Sequence, residues 1–416
     1  MRKTLAVAAA AALAAASLAA CSSSTKTDGS DKPASTAALT GRPIPIGWMG
    51  PVNTSTAGLS FPEVEESMQV AVDAVNASGG VHGRPLKLYT CDDQNDQSQG
   101  ATCASELIDQ DKVVTTLGGI GEESTALYPV LQSVGGINFA EVAGTAADSA
   151  SPLSFPVYPG VGLVLDFPVV TQASWTNLGI ITTGGVVGTQ LTGLAEAGFA
   201  NAKRKVKITP VYVPELSVNW SQVVSTIITK HYDAVLCPVN PSEAQGLLSA
   251  AGQLGLKTPL ILSTASLNAA VYKVLQGSTL NLPMEVLFAR TGPEFAAFQK
   301  AANTYSAQVG AKQNLTQSDS DINAWIAVTQ FASLAKAVKG AITPASFAAA
   351  VKADSNLQTG MTPAVDFASK PAGDFPRGFN LFAAAGKFSD GNVVQTSARW
   401  TNYAVPGGTT VDGPGS

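Results

Sequence analysis

The chain has 416 residues, of which 45% are hydrophobic and only 13% charged, with a formal net charge of −5 at pH 7. That length exceeds what one hydrophobic core normally serves, so two lobes are expected. A mildly acidic, sparsely charged surface excludes the basic footprint of a nucleic-acid binder.

The first twenty residues are an address. Arg2 and Lys3 precede an alanine-rich apolar run too short for a membrane span, and the run ends in "LAAC" at Cys21. This is the pattern of a secretory signal peptide, and its end resembles the bacterial lipobox. On that reading Cys21 is lipidated and the protein is exported and anchored to the outer face of the cell membrane. A plain signal peptide with Cys21 incidental is the other reading. Residues 21–42 are small and polar, as in a flexible tether, and the Gly- and Pro-rich stretch 404–416 reads as a disordered tail.

Between these ends, strands alternate with helices. "PIPIGWM" reads as a strand, and Ser60-Phe61-Pro62-Glu63 as a capping box with proline in the first turn of a helix. Val64, Met68, Ala71, Val72 and Val75 then recur at helical spacing, until "SGG" at 78–80 stops the helix. "LKLYT", "KVVTTLGG" and "INFAEV" are strands, separated by the helices "SQGATCASELI" and "STALYPVLQSV". Pro129 should distort the second of these or confine it to its later turns. The same grammar restarts with "NLGIITT", "KVKITPVYV", "DAVLCPV" and "PLILST", with helices near 189–199, 222–230 and 242–254. Further helices are expected at 294–309, 322–340 and 344–352, with two weak strands, "GFNLFAA" and "NVVQTSARW". Repeated β-α units imply an α/β fold, two similar Rossmann-like lobes of parallel sheet flanked by helices.

Catalytic constellations are not found. His82 and His231 have no cysteine or histidine at ligand spacing, and neither G-x-S-x-G nor H-E-x-x-H occurs. "DDQND" at 92–96 has the acids of a calcium loop but lacks its glycine, and Cys103 stands where the bidentate glutamate belongs. "GGIGEEST" at 118–125 lacks the third glycine of a dinucleotide loop and the lysine of a P-loop. The chain therefore reads as a binding protein and not an enzyme, with no metal and no cofactor. An oxidising compartment permits a disulfide, and Cys91 at a strand end and Cys103 on the next helix are the expected pair. Cys237, in an apolar strand, reads as a small buried hydrophobe. Ligands of open α/β sheets lie beyond the carboxyl ends of strands, which picks out loops at 48–53, 118–125, 141–146, 182–189, 238–243 and 263–267.

The lipobox, the tether, "IPIGWMGPVNT", "VNASGGVHGRPLKL", "CDDQND", "CASELI…DKVVTTLGG" and "GLKTPLIL" together resemble the type I periplasmic binding proteins, above all the branched-chain amino-acid-binding group of ABC importers, over about 43–403. The resemblance implies two α/β lobes joined by three crossover segments, near 160, near 290 and at 365–378. Lobe 1 is then 43–160 plus 291–365, and lobe 2 is 161–290 plus 366–403. It implies a monomer that captures a small polar ligand, an amino acid or a related amide, amine or hydroxylated compound, by hinge closure and delivers it to an ABC permease. A lipid-anchored sensor of the same fold is the alternative, and a secreted enzyme the remote one. The ligand site would include Ala143, Gly144 and Thr145, with the family's hydroxyl position on Glu122 and Ser124 two residues on. In lobe 2 the family's covering aromatic falls on Val187, a second tyrosine on Asn240 and the acid for the ammonium group on Thr264. These departures leave two readings. Either the ligand's cationic, amide or hydroxyl-rich end faces Glu122 and Glu141 and stacks on Trp48, or Glu122 and Glu123 point outward and Ser124 holds it.

Overall fold

The structure is a computed structural model that describes residues 39–53, 60–121, 124–158, 160–214, 217–371 and 375–415. The leader, Cys21, most of the tether, Glu122 and Glu123 lie outside the described residues. Residues 37–416 form one compact unit.

The first sheet contains β1 (Ile44–Gly50), β2 (Leu86–Asp92), β3 (Thr116–Leu117), β4 (Asn138–Phe139) and β5 (Ser154–Phe155), all parallel, in the order β2-β1-β3-β4-β5. Its connections are α1 (Pro62–Ala77), α2 (Gln97–Ser105), α3 (Ser124–Ser133) and α4 (Ala146–Ala150). Alternation along β1 assigns its two faces. Ile44, Ile46 and Trp48 enter a core with Val64, Met68 and Ala71 of α1, while Met49 packs on the other face with Cys103, Leu107, Leu127 and Leu131.

Two local expectations change. Ser60 does not cap α1: Phe61 is the N-cap residue and makes no side-chain cap bond, while the Ser60 hydroxyl donates to the Val52 carbonyl. α3 runs through Pro129 from Ser124 to Ser133 instead of being confined to its later turns. The acids of "DDQND" serve local structure. Asp92 accepts from the backbone of Val52 and Asn53, and Asp96 caps α2 by accepting from Ser98 and Gln99.

The second sheet begins with β6 (Asn177–Thr183), β7 (Lys207–Val213), β8 (Ala234–Cys237), β9 (Leu260–Ser263) and β10 (Pro283–Val286). α5 (Gly185–Asn201), α6 (Trp220–Lys230), α7 (Pro241–Gln253) and α8 (Ala269–Leu275) lie between them. Strands covered on both faces read as continuous apolar runs, and β8 (AVLC) and β9 (LILS) do. Leu178, Ile180, Ala234, Leu236 and Ile261 meet Ala195 and Phe199 of α5. Ile181, Val235, Cys237, Leu260 and Leu262 meet Val224 and Ile227 of α6 and Leu247 of α7 on the opposite face. Cys237 is the small buried hydrophobe expected of it.

The chain then returns to the first lobe as α9 (Pro293–Val309), α10 (Asp319–Ala337) and α11 (Pro344–Ala353). Ile322, Trp325 and Ile326 of α10 complete the core of Ile44, Ile46 and Trp48. It finishes as β11 (Ala383–Ser389), β12 (Asn392–Asn402) and β13 (Thr409–Asp412), antiparallel additions that give the order β13-β12-β11-β10-β9-β8-β6-β7. Asp390 and Gly391, both with positive φ, make the two-residue turn between β11 and β12. Phe367 and Phe379 pack on Phe155 of the first sheet, at the two ends of the segment expected as the last crossing. The expected tail is structured: β13 pairs with β12, and Trp400 Nε1 donates to the Pro414 carbonyl at 3.0 Å.

Cys91 and Cys103 form the expected disulfide, with Cα atoms 5.5 Å apart, and tie β2 to α2. Replacing both cysteines with serine is expected to lower the unfolding free energy by about 3 kcal/mol, read from urea midpoints with and without reductant. A wild type whose midpoint is indifferent to reductant would contradict this.

Candidate functional site

The carboxyl ends of the parallel strands of both sheets supply the walls of one cleft, a cavity of about 270 Å³. From the first sheet come Ile120 after β3 and Val142 and Gly144 after β4, joined by Phe61 ahead of α1 and Ser320 in the first turn of α10. From the second come Pro238, Val239 and Asn240 after β8, and Ser263, Ala265 and Ser266 at the end of β9. The first crossing adds Tyr158 and Gly160, and beyond it Leu163, Val164 and Leu191. The wall is mostly apolar, with a few polar groups set into it, which is the usual make-up of a small-molecule site.

Two glycines play opposite roles. Gly160 has φ +55°, and a Cβ there would lie 2.0 Å from the Ala143 carbonyl oxygen, so the first crossing needs glycine to pass this close. A Cβ on Gly144 would meet only the Val142 carbonyl oxygen, at 3.8 Å, so a side chain at 144 enters the cleft without disturbing the fold.

Hydrogen bonds hold the loops in place. Asn240 caps α7 in a capping box with Glu243, and the Ser266 hydroxyl donates to the Val239 carbonyl at 2.6 Å, linking the loops after β8 and β9. Thr145 caps α4 reciprocally with Asp148, whose carboxylate also accepts from Tyr128 at 2.8 Å. Behind the cleft the second crossing is bound across the lobes. The Thr264 hydroxyl donates to Asp319 and accepts from the Leu287 N–H at 3.1 Å. Arg290 pairs with the other Asp319 oxygen at 2.7 Å, with both side chains buried, and also donates to the Thr316 carbonyl.

Of the residues singled out in the sequence, Gly144 and Asn240 line the cleft. Ser124 opens α3. Ala143 is buried, with its carbonyl against Gly160, and Thr145 is committed to its helix cap. Trp48 sits in the core on the face of Ile44 and Ile46 and is not part of the cleft wall. Thr264 is fully buried in the interlobe bond with Asp319. Val187 is 59% exposed at the start of α5 and does not line the cavity. Glu141 turns away from it, because backbone alternation sends Val142 and Gly144 to the cleft and Glu141 inward, where it accepts from Ser154. The sequence reading missed Tyr158, Ser320 and Phe61. The first sits on a crossing, and the others precede or open helices, so the strand-end rule did not reach them.

Buried acids surround this machinery. Burial, reinforced by the Asp148 charge, pushes the Glu141 carboxyl up to about 8. Burial, with the charges of Asp166 and Asp319, holds Glu285 well above the usual carboxylate range, against the opposing pull of a Ser263 side-chain hydrogen bond. Burial likewise raises Asp166, although it accepts from the Tyr403 N–H at 2.7 Å.

Comparison with known proteins agrees with this architecture. The family model described as "Periplasmic binding protein" matches residues 43–386. The chain belongs to the periplasmic binding protein family. An amino acid binding protein of Pseudomonas aeruginosa is 33% identical over 82 residues, a match that spans 20% of this chain and only 22% of that relative. Among solved structures, an isoleucine complex of a branched-chain amino acid transporter substrate binding protein from Streptococcus pneumoniae superposes with a TM-score of 0.64. It is 17% identical and covers 89% of this chain and 99% of its own. An ABC transporter solute binding protein from R. palustris in complex with 4-hydroxybenzoate gives 0.67 at 16% identity, covering 86% and 97%. Both likenesses show the fold. Family membership places the protein's work outside the cytoplasm, and no helix among the described residues is long and apolar enough to cross a membrane.

Glu141 sets the sign of a pH effect. Its folded value lies above its unfolded one, so the folded state holds the extra proton between about pH 4.5 and 8, and stability falls as pH rises through that window. Glu141→Gln keeps the acceptor for Ser154 and cannot ionise. The variant is expected to match wild type at pH 5 and to exceed it near pH 8.5 by on the order of 4 kcal/mol, measured by denaturant unfolding at both pH values. A loss of stability at both would contradict the assignment.

Proposed function

We propose that the protein is an exported solute-binding lipoprotein of an ABC importer, held at the membrane by Cys21. It captures a metabolite-sized ligand between its lobes and delivers it to a permease. The observation that carries this reading is the cavity bounded by the strand ends of both sheets, with two lobes connected by crossings about which they can close. The ligand's apolar body lies against Phe61, Ile120, Val142 and Leu163, and its polar end meets the Gly144 backbone, Asn240 and Ser320. Relatives support a ligand of this kind, since one solved structure holds isoleucine and another 4-hydroxybenzoate.

The test is a thermal-shift screen of the unlipidated chain, residues 22–416, against amino acids, amides, polyamines, polyols and aromatic acids. A ligand at about 100 times its dissociation constant stabilises by about 2.7 kcal/mol. Gly144→Phe is expected to abolish the response while melting within error of wild type without ligand. Silence of wild type across the panel, or an undiminished response in Gly144→Phe, would overturn the assignment. The anchor is tested separately: Cys21→Ser is expected to move the exported protein from the membrane fraction to the medium or periplasm, and retention on the membrane would refute lipidation.

A further inference from the structure

A second concavity lies at the opposite end of the first sheet from the cleft. It is an open groove of about 510 Å³ beside the starts of β1 and β2 and the segment leading into β3. In a protein of formal charge −5, its lining carries Arg42, Arg84, Lys87 and Lys112 against a single acid, Asp111. Arg42, Lys87 and Lys112 are exposed. Lys87 is held with Nζ 4.2 Å from the centre of the Tyr89 ring, which also lines the groove. Arg84 donates to the carbonyls of Arg42 and Pro43, at 2.7 and 3.3 Å, and the Gly41 N–H donates to Gly83. These bonds fix the point where the chain enters the fold at the rim of the groove.

That entry point gives the groove a partner. Leu39 is the eighteenth residue after Cys21, so a lipid on Cys21 keeps the rim within at most about 60 Å of the bilayer surface. At such range a weak contact is favoured by high effective concentration. Cations near an anionic leaflet each strengthen association about fivefold, and an aromatic ring with a polar tip suits the headgroup layer.

We propose that this basic groove is the face on which the protein rests against the anionic phospholipid headgroups of its own membrane. The proposal builds on the lipid anchor inferred above. Because the cleft lies at the other end of the strands, the resting molecule presents its open cleft to the surroundings, and delivery to a permease requires the groove to let go. Headgroup charge and ionic strength therefore set how much of the protein is free to deliver.

The test uses the unlipidated chain, residues 22–416, and sedimentation with vesicles of phosphatidylcholine, alone or with about one-third phosphatidylglycerol. Binding is expected to the anionic vesicles only, at low salt, and to vanish near 0.5 M salt, where the screening length is only a few ångströms. K87Q/K112Q is expected to bind about 25-fold more weakly with an unchanged melting temperature, and the control K257Q/K300Q, with two exposed lysines outside the groove, to bind like wild type. Equal binding to neutral vesicles, no binding, or an unaffected K87Q/K112Q would overturn the proposal. So would saturable binding of inorganic phosphate that blocks sedimentation, since the groove would then be a phosphate site. No acyl chain is present in this assay, so its failure leaves the anchor untouched, and the Cys21→Ser result bears on the anchor alone.

Discussion

The buried carboxylate of Asp319 joins three parts of the molecule that are far apart in sequence. It stands at the start of α10, on the first lobe, and takes one hydrogen bond from Thr264 at the end of β9, on the second. Its other oxygen neutralises Arg290 on the segment that crosses between them. An ion pair this deeply buried contributes little net stability, but breaking it by removing one partner costs about 3–5 kcal/mol, because the remaining charge is stranded. The device thus specifies more than it stabilises. It sets where the second crossing leaves β10, where α10 begins, and hence where Ser320 stands in the cleft that Ser263 and Ala265 also line.

Around that fixed point the cleft is assembled from groups already serving the fold. Asn240 terminates α7 and Ser266 links two loops, and both present their surroundings to the cavity. Apolar strand ends supply most of the wall, so ligand affinity would draw mainly on burial, with orientation left to a few hydrogen-bonding groups. The uncharged acids behind the wall, Glu141 and Glu285 among them, are held neutral by burial. Their contribution to stability is greatest at low pH and is lost as pH rises.

Much of this was legible in the sequence, and the exceptions have physical causes. The doubly covered strands of the second sheet declare themselves as unbroken apolar runs, and the Cys91–Cys103 pairing follows from compartment and spacing. Trp48 stands near a strand end, which draws it toward the cleft, but Ile44, Ile46 and Trp48 alternate onto one buried face, and that period of two carries its side chain into the core. Thr264 aligns with an acid that grips ligand in the resembling family, yet here it points into the hinge, because Asp319, 55 residues away, takes its hydroxyl. No local pattern encodes that contact. β13 was invisible for a similar reason: "TTVD" among glycines and prolines has no apolar face, and only its pairing with β12 makes it a strand. The Asp390-Gly391 turn was a readable hairpin signal that the weak flanking strands obscured.

The central claim is that a ligand sits between the two lobes and that they close on it about the Thr264–Asp319–Arg290 junction. A crystal structure of the protein with the strongest ligand from the screen tests this most directly. The account expects ligand density touching Gly144 and Ser320 on one side and Asn240 and Ser263 on the other, with the junction's hydrogen bonds intact. Density elsewhere, or a ligand held by one lobe with the other turned away, would contradict it.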